Sequence, residues 1–265
     1  MISVITPVYN GEKFIESCIK VVIDQACPGV EHIIVDGGST DQTVDIIKHY
    51  AKQYLHIRWI SEKDRGQSDA MNKGIAMAKG EILAILNVDD YYEPNALKRV
   101  SEIFRTLPEP SLLVGNCNVW NDEGELAHFN RPAKLKLTQL LSGFRSPFPM
   151  NPSAYFYHTS LHQKIGLYDI DEHYIMDLDF ISRAIQIATV KYIDETLGNY
   201  RMIEGTKTIK DLGHSHQMRF RNLRKKYSKD LSRFQRIKVT TIYESLQIWH
   251  KIKATLRIRT NIKSG

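Results

Sequence analysis

The stretch ILAILNVDD, residues 82–90, is an apolar run that ends in two adjacent carboxylates. A fully buried strand accounts for the apolar part, because a short run without alternation is typical of a strand covered on both faces. Asp89 and Asp90 are costly to bury unpaired, so we expect them to meet a ligand or a cation at the carboxyl end of the strand. Open α/β sheets bind their ligands at that edge. The alternative is an acidic surface turn, where Asp-Asp pairs are common.

Strand-like and helical patterns alternate around this stretch. Short β-branched runs at residues 2–5, 31–35 and 56–60 precede it, and amphipathic patterns separate them. Such alternation predicts an α/β protein with a mostly parallel, Rossmann-like sheet that helices cover on both faces. The predicted helices of this half lie at residues 12–25, 41–53 and 68–79, and Pro94 opens a fourth at its first turn.

The second half of the chain changes rhythm after Pro110. The turn signal NDEG at residues 121–124 separates strand-like runs at residues 112–120 and 126–130, which predicts a β-hairpin. We therefore expect this half to be mixed rather than strictly parallel. Helices are predicted at residues 160–165 and 178–188, and strands at residues 190–193 and 197–202.

Length and composition indicate a globular protein. The chain has 265 residues, of which 42% are hydrophobic, enough for one large α/β domain or two small ones. Its three cysteines are odd in number and have no metal-ligand spacing, which is typical of reduced thiols. No signal peptide precedes the first strand-like run, and no stretch approaches the ~18 apolar residues of a membrane span. The sequence therefore predicts a cytoplasmic protein.

The charge of the chain is divided unevenly. Residues 217–265 contain 14 basic and 2 acidic side chains, a net charge of +12, whereas residues 1–216 carry −6. We expect a basic helical extension that either docks on the acidic body or lies on the inner face of an anionic membrane. Nucleic acid is disfavoured as a partner, because the aromatic residues fall at helical intervals that suit packing. The apolar stripe consists of Phe220, Leu223, Tyr227, Leu231, Phe234 and Ile237.

A second acid follows a predicted strand at Asp36. Gly37 and Gly38 come next, and they permit a tight turn and the close approach of a ligand to the backbone. Asp41 is placed to cap the following helix. After the first strand, TPVYNG at residues 6–11 stands where a dinucleotide fold would have its glycine fingerprint, so a nicotinamide-dependent oxidoreductase is disfavoured.

Four segments of the sequence, taken in chain order, resemble the family 2 glycosyltransferases. These are inverting enzymes with the GT-A fold that use nucleotide-diphosphate sugars. The segments correspond to the opening strand and nucleotide loop, the uridine-binding acid loop, the loop and helix before the D-x-D segment, and that segment itself. The resemblance continues more weakly into the second half and fades beyond about residue 208. The four segments are residues 2–10, 35–41, 61–74 and 87–90, and the weaker matches are residues 151–153, 166–169, 176–179 and 200–201.

The resemblance implies a role for each segment. Mn²⁺ or Mg²⁺ would stabilise the negative charge that develops on the leaving diphosphate, with Asp90 as the direct ligand. Asp89 would share the metal or contact the ribose. Asn87 departs from the pattern, since many relatives have a third aspartate there, so the division of labour among the three positions stays open. The residues implied to contact the nucleotide sugar are Pro7, Val8, Tyr9, Asp36, Gly66, Asp69, Asn87 and Asp89.

Inversion at the anomeric carbon requires a base opposite the leaving group, and the resemblance places it in a late acidic motif. Asp177 matches that position, just before a predicted helix, and Asp179 is the alternative if the register differs by two. Either residue considered alone is as well explained as a helix cap.

The resemblance thus implies an inverting, metal-dependent glycosyltransferase, hexosyl or hexosaminyl, that moves a sugar from a UDP-linked donor to a saccharide or lipid-linked acceptor in cell-surface polysaccharide synthesis. Residues 1–208 would form the GT-A domain, with a donor half at 1–95 and an acceptor half at 96–208. Residues 209–265 would form the basic helical extension. The alternative is a non-catalytic nucleotide-sugar binding module that scaffolds a biosynthetic complex.

Overall fold

We analysed a computed structural model, which describes residues 1–143, 148–203 and 214–262, the side chains of residues 214–216 and 250–262 excepted. The first half alternates strands and helices as predicted, with bounds that differ by up to three residues. Its elements are β1 (Ile2–Val8), α1 (Ile15–Asp24), β2 (Val30–Asp36), α2 (Thr43–Gln53), β3 (Ile57–Ser61), α3 (Gln67–Met77), β4 (Ile82–Ile85), β5 (Tyr91–Tyr92) and α4 (Ala96–Phe104).

The second half contains the predicted hairpin and several elements that the patterns did not indicate. The hairpin strands, β6 and β7, pair in antiparallel register across the NDEG turn. The patterns did not indicate the short helix Leu137–Ser142 or the strand Tyr155–His158, whereas the helix predicted at residues 160–165 is present as Leu161–Ile165. The elements are β6 (Ser111–Trp120), β7 (Leu126–Asn130), α5 (Leu137–Ser142), β8 (Tyr155–His158), α6 (Leu161–Ile165), α7 (Met176–Ala184) and β9 (Thr189–Arg201).

Within the described ranges one sheet unites all nine strands, in the order β3-β2-β1-β4-β8-β6-β9-β5, with β7 paired to β6. The strands β3, β2, β1 and β4 are parallel. β8 runs antiparallel to both of its neighbours, β4 and β6. The predicted α/β class and mostly parallel first half are confirmed.

Helices cover both faces of this sheet. Consecutive strand residues point to opposite faces, so Val4 and Ile5 of β1 belong to different core clusters. Val4 packs with α1 and α4, whereas Ile5 packs with α3, α5 and α7. The buried apolar runs of the parallel strands are explained by this two-sided cover.

Two predictions for the second half were wrong. Residues 190–193 and 197–202 are not separate strands but parts of β9, whose pairing with β6 shifts register between Val114 and Cys117. Such a shift is a bulge, which bends a strand without ending it. The helix predicted at residues 178–188 begins two residues earlier, at Met176, and ends at Ala184.

The described part of the C-terminal extension, residues 214–262, consists of two helices, α8 (His214–Tyr227) and α9 (Arg233–Ile262), joined by a short 3-10 turn. Only part of the predicted stripe is buried. Leu223, Tyr227 and Leu231 join the core cluster that contains α7, but Phe234 is 78% exposed and Ile237 is 59% exposed. The turn changes the helical phase, so the stripe cannot continue on one face. The predicted domain boundary at residue 208 lies outside the described residues.

Candidate functional site

The predicted site segments meet at one edge of the sheet. Val8 at the end of β1 lies opposite Asp36 at the end of β2, and Asp36 lies opposite Ser61 of β3. β4 pairs with β1 on the other side, so Asn87 and the following acids emerge at the same edge. Parallel strands place their carboxyl ends together, which is why segments far apart in sequence converge here.

The loop after β1 is hydrogen-bonded to the loop after β2. The Asn10 amide donates to Ser39 Oγ at 2.7 Å, and the Thr40 amide donates to Asn10 Oδ1 at 2.9 Å. Pro7 and Val8 lie inside β1, where they are buried. Tyr9, the next residue, is 64% exposed. An exposed ring at the mouth of a fixed loop is available to a planar base, and its contact with the nucleotide stays a prediction.

Asp36 organises the β2–α2 loop. Its Oδ2 accepts hydrogen bonds from the Gly38 amide at 3.0 Å, the Ser39 amide at 3.0 Å and Ser61 Oγ at 2.7 Å. The carboxylate is fully buried. Several donors around a buried carboxylate satisfy its lone pairs and hold the loop in one conformation. Whether Asp36 also contacts a nucleotide stays a prediction.

Gly66 begins α3 in a conformation that favours glycine. Its φ is +116°, and a Cβ there would lie 3.2 Å from His173 Nδ1. Asp69 lies in the first turn of the same helix, where its Oδ2 accepts the Arg65 amide at 3.0 Å. Lys73 Nζ lies 3.5 Å from the same carboxylate. The structure thus places Gly66 and Asp69 together at a helix N-terminus, and their predicted contact with the nucleotide sugar is untested.

Asp90 lies at the centre of a hydrogen-bond network. Its Oδ2 accepts from Asn87 Nδ2 at 2.9 Å and from Asn151 Nδ2 at 2.7 Å. Its Oδ1 accepts from the Arg201 amide at 3.1 Å. Gln67 Nε2 donates to Asn87 Oδ1 at 2.8 Å, so the network also reaches α3. Asn87 therefore serves as a bridge, a task that needs both its donor and its acceptor.

Asp89 and Asp90 differ in access to solvent. Asp90 is 1% exposed, whereas Asp89 is half-buried. Burial, followed by the charge of Asp89, raises the pKa of Asp90 well above its ordinary value. Burial also raises the pKa of Asp89, against the opposing charge of Arg201. Two adjacent carboxylates that resist joint ionisation form an environment in which a nearby cation favours the charged forms.

Asp177 lies in the first turn of α7 and is half-buried. Tyr155 of β8 donates its hydroxyl to Asp177 Oδ1 at 2.7 Å. Asp179, the alternative base, is engaged elsewhere, since Arg183 Nε lies 2.9 Å and Tyr227 Oη 2.7 Å from its carboxylate. Asp179 is thus bound within α7 and to the extension, and the role of Asp177 as the base stays a prediction.

Sequence reasoning missed two supporting residues. Gln67 and Tyr155 hold Asn87 and Asp177, but each contacts a partner about 20 residues away in sequence, with no pattern that links them. The run Tyr155-Phe156-Tyr157 was the available signal, because adjacent aromatic residues are typical of a buried strand.

The donor set fits a hard divalent cation. Mg²⁺ and Mn²⁺ are commonly held by one or two carboxylates, with substrate phosphates completing the coordination. Asp89 and Asp90 are the carboxylates at this position, and of the two Asp89 is the more accessible to solvent. Within the described ranges no group of three or more His, Cys, Asp or Glu side chains is clustered in a way that could hold a metal ion.

Comparison with known proteins identifies the family. The sequence profile described as glycosyl transferase family 2 matches residues 3–164, more than half of the chain. The chain belongs to glycosyl transferase family 2. This match includes every predicted donor-site residue of this family 2 protein, and it ends before Asp177.

Curated relatives include bacterial glycosyltransferases. The PGL/p-HBAD biosynthesis glycosyltransferase Rv2957 of Mycobacterium tuberculosis is 32% identical over 219 residues, 80% of this chain and 81% of its own length. The uncharacterized glycosyltransferase EpsJ of Bacillus subtilis is 29% identical over 212 residues, 76% of this chain and 61% of its own. The uncharacterized glycosyltransferase YibD of Escherichia coli is 34% identical over 146 residues, 54% of this chain and 41% of its own. The family 2 chain thus spans less than two thirds of the last two relatives.

Solved structures share the fold. S. aureus TarS 1–349 in complex with UDP-GlcNAc superposes with a TM-score of 0.69 at 19% identity, over 91% of this chain and 71% of that one. The mannosyltransferase PcManGT from Pyrobaculum calidifontis, in complex with GDP-Man and Mn²⁺, gives a TM-score of 0.58 at 17% identity, over 83% and 60%. The expected GT-A architecture is thereby confirmed for the family 2 protein.

Proposed function

We propose that this protein is an inverting glycosyltransferase that moves a hexosyl or hexosaminyl group from a nucleotide-diphosphate sugar to an acceptor hydroxyl. The observation that carries the proposal is the placement of the Asp36 loop and the Asn87–Asp90 network at one sheet edge, with Asp177 at the start of α7. That start lies against the start of α3, where Ser68 Oγ donates to Met176 Sδ at 3.2 Å. The loop, the network and Asp177 are a nucleotide cradle, an acidic pair and a base, the three parts that the reaction needs.

UDP is the proposed nucleotide. TarS structures contain UDP and UDP-GlcNAc, and TarS has the higher TM-score, whereas the mannosyltransferase structure contains GDP-Man. Tyr9 and the Asp36 loop would hold the base and ribose. Thermal stabilisation by UDP but not by GDP, each with Mn²⁺, is the expected outcome, because a ligand that binds the native state raises its stability.

The metal proposal rests on the acidic pair. When bound, the cation would stabilise the negative charge on the leaving diphosphate. The resemblance implied Asp90 as the direct ligand, but Asp90 is buried and accepts three N–H donors. We therefore propose Asp89 as the ligand that solvent and substrate reach, with Asp90 holding the loop in place. Mn²⁺ titration followed by electron paramagnetic resonance in the presence of UDP tests this division. Asp89→Ala should abolish Mn²⁺ binding in the presence of UDP. Equal Mn²⁺ affinity in Asp89→Ala and the wild type would refute Asp89 as the ligand.

Asp177 is the proposed general base. It would accept the proton of the acceptor hydroxyl as the oxygen forms its bond to the anomeric carbon, while the nucleotide diphosphate leaves with the electron pair of the broken bond. The Tyr155 hydroxyl, which donates to Asp177 Oδ1 at 2.7 Å, holds the carboxylate in place.

Asp177→Asn is the deciding variant for transfer activity. The amide cannot take a proton, so kcat should fall by about 10²- to 10⁴-fold, while thermal stabilisation by UDP stays unchanged. Asp45→Asn, an exposed change on α2, is the matched control. If the protein were instead a non-catalytic binding module, donor affinity would persist and Asp177→Asn would change nothing measurable in a biosynthetic complex. Full transfer activity of Asp177→Asn would refute the proposed base.

The acceptor is proposed to be a saccharide or a lipid-linked precursor used in cell-surface polysaccharide synthesis. The basic extension supports a site next to a membrane. Phe234 and Ile237 are exposed on α9, and Arg233, Arg236 and Lys238 are exposed beside them. Such a face inserts apolar side chains among lipids while its cations meet anionic headgroups. None of the described helices has the length and apolar character that crossing a bilayer requires.

Vesicle sedimentation tests this membrane contact. The full chain should pellet with phosphatidylglycerol vesicles, less so as salt rises, and not with phosphatidylcholine vesicles. Phe234→Ser combined with Ile237→Ser should abolish pelleting, whereas Leu55→Ser, at a 95% exposed position on the body, should leave it unchanged. Equal pelleting by both variants would refute the role of α9.

A further inference from the structure

The C-terminal extension contacts α7, the helix that begins with the proposed base. Asp179, two residues after Asp177, is buried. Its Oδ1 accepts from Lys226 Nζ at 2.7 Å and from Tyr227 Oη at 2.7 Å, both at the end of α8. Its Oδ2 accepts from Arg183 Nε at 2.9 Å, one turn along α7. Two of the three donors to this carboxylate therefore come from the extension.

The same extension also holds the loop that leads into α7. Glu172 Oε1 accepts the amides of Tyr174 at 2.8 Å and of Ile175 at 3.1 Å. Arg219 of α8 lies 3.4 Å from that oxygen, and its guanidinium lies 4.3 Å from the centre of the Tyr174 ring. Contacts of α8 thus reach both the loop before α7 and its first turn.

The geometry of a helix connects these contacts to the base. Residues two apart on an α-helix point about 200° apart, so Asp177 and Asp179 face opposite sides. Tyr155 binds Asp177 on the side of the sheet, and Tyr227 binds Asp179 on the side of the extension. Anchors on both sides fix the rotation of α7 about its axis, which is the degree of freedom that aims the Asp177 carboxylate.

We infer that Lys226 and Tyr227 are positioning residues for the transfer reaction, acting on Asp177 through Asp179. The inference rests on the proposed role of Asp177. Burial opposes ionisation of Asp179, but the hydrogen bonds of Lys226 and Tyr227 outweigh it and lower the pKa, so the anchor is charged at neutral pH. The extension is on this account part of the catalytic scaffold, in addition to any contact that α9 makes with lipid.

The test is a double-mutant cycle in the full chain with transfer kinetics. Tyr227→Phe removes one oxygen and keeps the buried ring, and Lys226→Met removes the charge and keeps the stem. Together they should lower kcat about tenfold or more, because small misplacements of a reacting group are costly, while the KM for the sugar donor is unchanged. Lys226→Arg, which keeps the positive charge, should have the wild-type kcat in a chain that retains Tyr227. Lys225→Met, at an exposed neighbour, is the matched control.

The cycle separates positioning from general loss of structure. In an Asp177→Asn background the two changes should cost nothing further, because residues that act through one group are not additive. A wild-type kcat in the Lys226/Tyr227 variant would overturn this inference alone, provided that Asp177→Asn lowers kcat as expected. An equal loss in both backgrounds would also overturn it, because the extension would then act on stability. Full activity of Asp177→Asn would overturn the proposed base itself, and the inference with it.

Discussion

Tyr155 contributes one hydroxyl at the base and one ring to the core. The ring is fully buried, with the rings of Tyr157 and Phe180 each 6.3 Å away between centroids. Its position is therefore fixed by packing, and only the hydroxyl reaches Asp177. At this scale a single atom can be removed while the surrounding structure stays in place.

Tyr155→Phe should lower kcat about tenfold, since a hydrogen bond to a charged group contributes roughly 1.5–3 kcal/mol and its loss leaves Asp177 less well held. Initial-rate kinetics with saturating donor measure the effect. Tyr92→Phe is the control, because the Tyr92 hydroxyl is buried without a hydrogen-bond partner among the described residues. If both variants lose kcat equally, the hydroxyl of Tyr155 has no special role.

Asn87→Asp tests the bridging role of the amide at this position. The change removes the donor to Asp90 Oδ2 and adds a third negative charge. Without metal we expect a loss of about 1–3 kcal/mol in the free energy of unfolding, and added Mn²⁺ should reduce the difference. Urea denaturation with and without MnCl₂ measures both, with the exposed Asn222→Asp as control. A variant as stable as wild type without metal would contradict the bridging role.

At the scale of elements, β9 packs closely against the 3-10 turn Pro152–Ala154 next to Asn151. A Cβ on Gly198 would lie 2.2 Å from Ser153 Oγ and 2.6 Å from the Ser153 carbonyl carbon. Backbone must therefore move if Gly198 gains a side chain. Because Asn151 donates to Asp90, the position of this turn is coupled to the acidic pair.

Gly198→Ala should accordingly destabilise the protein by about 1–3 kcal/mol and weaken its thermal stabilisation by UDP with Mn²⁺. Denaturation midpoints and ligand-induced shifts in melting temperature measure the two effects. Gly124→Asn is the control, since Gly124 has φ +75° with open space around it and Asn tolerates that conformation. Unchanged UDP stabilisation in Gly198→Ala would show that the turn and the acidic pair are independent.

At the scale of the whole molecule, the extension shares a core with the body. Leu223, Tyr227 and Leu231 belong to the same buried cluster as Ile5 of β1 and Phe180 of α7. A segment that buries its apolar side chains in a common core unfolds with that core. We therefore expect α8 and the sheet to lose structure in one transition.

Leu223→Ala should lower the free energy of unfolding of the entire protein by about 2–5 kcal/mol. Ile237→Ala, at an exposed position of the same extension, should change it by less than about 0.5 kcal/mol. Urea denaturation followed by circular dichroism and by hydrogen exchange measures both. A Leu223→Ala protein that loses α8 protection while the sheet keeps its midpoint would show that the extension folds separately.

Local patterns predicted the architecture and the location of the site. Short runs of neighbouring residues predict the parallel first half, the hairpin and the sheet edge with Asp36, Asp89 and Asp90. They do so because strand and helix periodicities are local properties. Family resemblance then assigned the roles, and the family assignment was confirmed. The roles of individual site residues stay predictions.

Only the tertiary structure determined which of these residues are held, and by what. Tyr155 against Asp177, Asn151 against Asp90, and Tyr227 against Asp179 are pairs 22, 61 and 48 residues apart. No periodicity encodes such distances, since side chains that meet across a fold obey packing rather than spacing. The sequence likewise predicted the apolar stripe of the extension but not which of its residues are buried. Leu223 is buried and Phe234 is exposed because a 3-10 turn separates the two helices and the core accommodates only part of the stripe.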